Sequence, residues 1–154
     1  MKSSANLDRD AAPEQRGPSA PFVILVDDEL DVAEMYRLGL VARGFRVRVV
    51  GEPAGFFTAV ANEMPDVAVL DWRLPGMSGA DMLEQLRSDP RTAALPVFLL
   101  SNFLGDQDGA IDRVFALGAL AWLRKSMTPP EVLAERLKQA VGRKRYARRF
   151  EDRS

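Results

Sequence analysis

Residues 65–71, Pro65-Asp66-Val67-Ala68-Val69-Leu70-Asp71, carry four apolar side chains in a row that end on a carboxylate. An unbroken run predicts a strand buried on both faces of a parallel sheet, because a half-exposed antiparallel strand would alternate apolar and polar residues. The same kind of run recurs on either side, at Phe22–Val26, Val47–Val50, Val97–Leu100 and Ala119–Leu123. Segments of helical period lie between the runs. Residues 30–43 place Val32, Tyr36 and Leu40 on one face, with Gly44 as a stop, and residues 53–63 present Phe57, Val60, Ala61 and Met64 behind Pro53. Residues 79–88 present Met82, Leu83 and Leu86; residues 106–117 present Ile111, Val114, Phe115 and Leu117; a fifth helix begins near Pro129 and Pro130 and runs through Leu133, Leu137 and Val141. Five strand–helix units predict an α/β fold: a doubly wound, five-stranded parallel sheet with helices on both faces. In such sheets ligands bind beyond the carboxyl ends of the strands, where the strand order reverses.

Composition narrows the chemistry. The 154 residues suit one compact domain with tails, and the chain has no cysteine and no histidine. Disulfides, thiolate metal sites, imidazole ligands, Ser-His triads and an internal phosphohistidine relay are thereby excluded. Residues 1–20 are polar, rich in Pro, Ser and Ala, and predict a disordered tail with no apolar run of a secretory or membrane type. Residues 21–141 form the predicted domain. Residues 142–154 carry six basic side chains against Glu151 and Asp152, and form either a basic tail or an extension of the last helix. With a net charge of −1 overall, that run with Tyr146 and Phe150 is a weak nucleic-acid signal, and composition argues against such a partner. A cytoplasmic location and no membrane partner are expected.

The strand ends hold the chemistry. Strand one ends in Asp27, Asp28 and Glu29, strand three in Asp71, strand four in Ser101 and Asn102, and strand five in Arg124 and Lys125. Singly, the aspartates read as helix caps or turn residues, Ser101 as a loop hydroxyl and Lys125 as a surface lysine. Together, on one edge of a parallel sheet, they form a constellation. Three adjacent carboxylates repel unless a cation neutralises them, and an oxygen-seeking ion of the magnesium type suits them. A lysine and a hydroxyl opposite would then hold phosphate oxygens.

With these residues placed, the chain resembles the receiver domain of bacterial two-component response regulators. The likeness rests on Val23-Ile24-Leu25-Val26-Asp27-Asp28-Glu29, on residues 65–79 with Asp71-Trp72-Arg73-Leu74-Pro75-Gly76-Met77-Ser78-Gly79, and on residues 118–125 ending Trp122-Leu123-Arg124-Lys125. It implies a flavodoxin-like (βα)5 fold of the stand-alone, chemotaxis-type receiver. By resemblance Asp71 is the phosphoacceptor, with Lys125 and Ser101 assisting. Asp27, Asp28, Asp71 and the Arg73 backbone carbonyl bind Mg2+ or Mn2+, and Ser101 and Trp122 are switch residues. Pro75 and Gly79 fit the loop after the acceptor, where glycine permits a tight path. The implied partners are a histidine kinase or histidine phosphotransfer protein and a downstream protein, met at the face of helix four, strand five and helix five. That face is also the family's usual homodimer face.

Three residues depart from the family pattern. Ser126 replaces the usual proline after the lysine; a cis bond before serine would cost ~3 kcal/mol more, so a trans bond and a differently shaped loop are expected, one that leaves room for a displaced Lys125. Asn102 is larger than the usual small residue there, and Arg73 is a large cation two positions past the acceptor. Together they predict an altered phosphoryl lifetime of undetermined sign. Two rival functions stand beside the switched receiver. A pseudo-receiver scaffold that is never phosphorylated keeps the fold but has no use for the full constellation. A phosphohydrolase acting on outside substrates would want an acid where Arg73 stands, so a signalling module rather than a turnover enzyme is expected. The roughly 13 residues after Val141 leave no room for an output domain in this chain.

Overall fold

A computed structural model describes residues 20–102 and 109–153, with side chains as far as residue 145. Among the described residues five long strands and five α-helices alternate: β1 (Phe22–Val26), α1 (Leu30–Val41), β2 (Arg46–Val50), α2 (Pro53–Asn62), β3 (Val67–Asp71), α3 (Gly79–Ser88), β4 (Val97–Ser101), α4 (Ala110–Ala116), β5 (Ala121–Arg124) and α5 (Pro130–Arg153). Strands β1 to β5 form one sheet in the order β2-β1-β3-β4-β5, with every pairing parallel, and Arg73–Leu74 and Met77–Ser78 pair antiparallel as a separate short ribbon. The fold is the doubly wound one that the apolar runs predict, in the flavodoxin-like form that the receiver resemblance implies.

Because successive strand residues face opposite sides, each buried strand feeds two cores. Ile24, Val26, Ala68, Leu70 and Leu99 pack with α2, α3 and α4. Val23, Leu25, Val67, Val69, Phe98 and Leu100 pack with α1 and α5 on the other side, against Tyr36, Leu40, Leu133 and Leu137. Burying both faces is what the unbroken apolar runs are for. Strand order reverses between β1 and β3, so Asp27 and Asp71 stand at the switch point.

Several details differ from the sequence reading. Strand β5 covers Ala121–Arg124 rather than 119–123, because Ala119 and Leu120 are still finishing the turn after α4: their amides donate to the carbonyls of Val114 and Val97. Helix α2 buries Pro53, Phe56, Ala59 and Val60, while Ala61 and Met64 are exposed and Phe57 is half-buried. The buried stripe is therefore rotated by about one residue, since two adjacent phenylalanines leave its phase ambiguous from pattern alone. In α4 only Ala110 and Val114 are buried, and Phe115 is exposed. The start of the predicted fourth helix at 106, the N-terminal tail to residue 19, and the side chains of Tyr146 and Phe150 lie outside the described residues.

The loop after β3 is shaped by two glycines with different reasons. Gly76 has φ +79°, where a side chain is strained. Gly79 is needed for close approach: a Cβ there would lie 2.8 Å from the Asp71 carbonyl oxygen and 2.7 Å from Leu99 Cδ1. Its amide donates to the Trp72 carbonyl at 2.8 Å, which holds the start of α3 against the end of β3. Ser78 and Asp81 close a capping box on α3.

Candidate functional site

Each acidic side chain of the site is delivered by a strand end. Asp27 follows β1 and is buried, its Oδ1 accepting the Glu29 amide at 2.9 Å. Asp28, next along, is exposed. Asp71 is the last residue of β3 and is 7% exposed. Carboxylate oxygens of Asp27, Asp28 and Asp71 all lie within 4.8 Å of one another. Neighbouring strands in parallel register bring them together, although 44 residues separate the first from the last.

Lys125 enters from the far side of the sheet. Its side chain is 6% exposed, with Nζ 2.8 Å from Asp27 Oδ2, 3.2 Å from Asp71 Oδ2 and 3.3 Å from Glu29 Oε1. The lysine is thus in place despite Ser126. No cis peptide occurs among the described residues, and Lys125–Met127 form a single 3-10 turn.

The charges act on one another. Burial pushes the Asp71 carboxyl up to about 6; Lys125 pulls it down and the Asp27 charge adds to the rise. Burial alone would lower Lys125, but the carboxylates of Asp27 and Asp71 outweigh it and the ammonium is held above its usual range. Apart from its ion pair with Lys125, the buried Asp27 Oδ2 has no hydrogen-bond partner among the described residues. A buried carboxylate oxygen left in that state, beside two further carboxylates, fits a hard divalent cation with oxygen ligands.

The other predicted residues surround this centre. Ser101, fully buried, ends β4, in register with Arg124 of β5. Arg73 is exposed and its amide donates to Asp71 Oδ1 at 3.4 Å. Trp122, half-buried on β5, packs against Trp72 with ring centroids 5.1 Å apart. Asn102 donates from Nδ2 to Glu29 Oε1 at 3.3 Å, the same oxygen that Lys125 reaches. Glu29, which the sequence places beside the acidic pair without assigning it a role, is a member of the site through these two contacts.

Residues 23–138 match the family model of the response regulator receiver domain. The chain belongs to that family. Response regulator receivers work in two-component signalling, and similar proteins include the phosphate regulon transcriptional regulatory protein PhoB of Rhizobium meliloti, 32% identical over 114 residues. That match covers 74% of this chain and 49% of PhoB. The DNA-binding response regulator MtrA of Mycobacterium leprae is 33% identical over 114 residues, 73% of this chain and 48% of MtrA. The receiver chain therefore spans about half the length of these curated relatives. Among solved structures, a CheY-like receiver domain protein from Methanospirillum hungatei superposes with a TM-score of 0.76 at 19% identity, covering 84% of this chain and 99% of that one. The chemotaxis response regulator CheY4 of Vibrio cholerae gives 0.70 at 22%, with 79% and 99% covered. At those identities the two structures speak for the receiver fold alone. Among the described residues no helix is long and apolar enough to cross a membrane.

Proposed function

We propose that this receiver is a phosphoacceptor switch, with Asp71 phosphorylated in a Mg2+-dependent manner by a histidine kinase or histidine phosphotransfer protein. The observation that carries the reading is the convergence of Asp27, Asp28 and Asp71 within 4.8 Å, with Lys125 Nζ at 3.2 Å from Asp71. In the transfer, an Asp71 carboxylate oxygen forms a bond to phosphorus as the P–N bond of the donor phosphohistidine breaks. The donor imidazole must come from outside these 154 residues, which contain no histidine. Asp27, Asp28, Asp71 and the Arg73 carbonyl would hold the metal ion, which when bound offsets charge on the phosphoryl oxygens. Lys125 contacts the phosphoryl group from the opposite side, and Ser101 turns toward it. Hydrolysis of the acyl phosphate later returns Asp71 to a carboxylate.

Ser101 and Trp122 relay the change to the face of α4, β5 and α5, where Phe115 and Leu120 are exposed. An output through a downstream protein partner at that face suits these exposed apolar side chains, and the same face would serve a homodimer. The module acts as a signal carrier and not as a turnover enzyme on outside substrates: exposed Arg73 occupies the position where a second acid would stand.

Tryptophan emission tests the reading, because Trp72 adjoins Asp71 and packs against Trp122. Emission is expected to change on adding Mg2+ and again on adding beryllofluoride. Asp71→Asn should abolish the second change, and Trp122→Phe separates the two fluorophores. A wild-type protein that ignores beryllofluoride at saturating Mg2+ would instead be a scaffold that is never phosphorylated.

A further inference from the structure

The turn that presents Lys125 has little to hold it by itself. Ser126 and Met127 are exposed, and Ser126 carries no ring to stiffen the backbone. Yet a lysine with 6% side-chain exposure, in contact with three acids, needs a fixed starting point for its long and otherwise mobile stem. The fixing contacts come from outside the turn and from the residue that follows it. Tyr36, at the middle of α1, is fully buried. Its hydroxyl donates to the Thr128 carbonyl at 2.7 Å and lies 3.4 Å from the Lys125 carbonyl. Thr128, buried as well, donates from Oγ1 to the Arg124 carbonyl at 2.7 Å and from its amide to the Lys125 carbonyl at 3.3 Å. The carbonyls of Arg124, Lys125 and Thr128 are all satisfied by these two residues.

We propose that Tyr36 and Thr128 are positioning residues for Lys125, pinning the backbone on both sides of it so that its ammonium meets Asp27 and Asp71. Burial pushes the Tyr36 phenol up, with Lys125 lowering it and Asp27 raising it, so the hydroxyl remains a donor at neutral pH. A tyrosine in the apolar stripe of α1 reads as packing, and its ring does pack. Its hydroxyl is the part that reaches across to the catalytic edge, 89 residues away in sequence.

The proposal rests on the phosphoacceptor reading only for what Lys125 does, so the test has one arm that is independent of it. In metal-free protein, amine acetylation read by mass spectrometry reports how often Lys125 leaves its partners, with exposed Lys138 as internal reference. Tyr36→Phe keeps the ring and deletes the hydroxyl. Losing one buried hydrogen bond is expected to raise Lys125 labelling about fivefold and to leave Lys138 unchanged. Thr128→Val should do the same, and Thr128→Ser, which keeps the hydroxyl, should restore wild-type labelling. Unchanged Lys125 labelling in both Tyr36→Phe and Thr128→Val overturns the proposal. In the second arm, beryllofluoride affinity at saturating Mg2+ falls by a similar factor in Tyr36→Phe while Mg2+ affinity does not weaken, and in a Lys125→Ala background Tyr36→Phe has no further effect. An equal loss in that background also overturns positioning through Lys125. If labelling rises but the wild type binds no beryllofluoride, positioning stands and the phosphoacceptor reading falls.

Discussion

Lys125, beyond the carboxyl ends of the strands, and Arg87, near their amino ends, are both cations drawn out of water, yet their surroundings differ in kind. Lys125 faces the carboxylates of Asp27, Asp71 and Glu29. Arg87, half-buried on α3, donates to the carbonyls of Leu117 at 2.7 Å and Leu95 at 2.8 Å, with Thr92 and Gly118 at longer range, and among the described residues it has no carboxylate partner. Burial accordingly lowers Arg87, whereas the carboxylates hold Lys125 up. Neutral carbonyls cannot be exchanged for a ligand without breaking the fold. Carboxylates can trade one cation for another. The amino edge is therefore a clamp that ties α3 to the loop before β4 and the turn before β5, and the carboxyl edge is a charge cluster that, in the proposed function, a metal and a phosphoryl group rebalance.

The widest separation between the two edges is expected from removing each cation. Arg87→Ala leaves the carbonyls of Leu95 and Leu117, both partly buried, without a charged donor and should cost about 4 kcal/mol of unfolding free energy. That loss should be the same with and without Mg2+. Lys125→Ala leaves Asp27 and Asp71 facing each other, a loss of about 3 kcal/mol in metal-free buffer, and saturating Mg2+ should recover most of it. Denaturant melts of both variants with EDTA and with Mg2+ check this; an Arg87→Ala loss that Mg2+ relieves, or a Lys125→Ala loss that it does not, would break the contrast.

Next in size is the pH dependence of Asp71. Its carboxyl is raised in the fold from 3.8 to about 6, so the folded state binds the proton more tightly than the unfolded chain. Stability from this group is fully present below about pH 4 and lost as pH rises through about 6. Asp71→Asn removes the ionisation and should stabilise the metal-free protein by up to about 3 kcal/mol above pH 6, with no gain below pH 4. The gain should shrink in Mg2+, which favours the wild-type carboxylate. A gain that does not vary with pH would show that shape, and not charge, distinguishes the two side chains.

Much of this contrast was legible in the sequence at the carboxyl edge and little of it at the amino edge. Unbroken apolar runs ending in Asp27, Asp71, Ser101 and Lys125 can belong only to strands whose ends share an edge once the sheet is parallel. Arg87 gave no such signal, because carbonyl partners are invisible in a sequence: any residue has one. The hydroxyl of Tyr36 was hidden for a related reason, since an aromatic on an apolar stripe satisfies the helical period whether or not its oxygen is used. Phase errors in α2 and β5 arose where neighbouring residues are equally apolar, Phe56 against Phe57 and Ala119-Leu120 against Ala121-Trp122, so hydrophobicity could not choose between them. Around Ser126 the missing proline points to the trans bond that the structure has, but a local rule about proline says nothing of Tyr36 and Thr128, which hold that loop from elsewhere.

The smallest effect expected is at the rim of the carboxyl edge. Glu29 Oε1 accepts from both Asn102 Nδ2 and Lys125 Nζ at 3.3 Å, so Asn102 steadies a carboxylate that shares the lysine with Asp71. Asn102 and Glu29 are both exposed, and exposed polar contacts of this type contribute about 1 kcal/mol or less. Asn102→Ala should therefore change the dephosphorylation rate of phosphorylated Asp71 by about fivefold at most, with little change in folding stability. Arg73 acts at the same rim through a different route, as an exposed cation two residues past Asp71, where it can pair with phosphoryl oxygens or shield them from water. Its replacement in Arg73→Asn should shift the rate independently of Glu29. Combining each substitution with Glu29→Gln separates the routes: Asn102→Ala should lose its effect in that background, whereas Arg73→Asn should keep its own. Dephosphorylation rates that neither substitution moves would show that the phosphoryl lifetime is set by the buried centre alone, and that the rim only fills space.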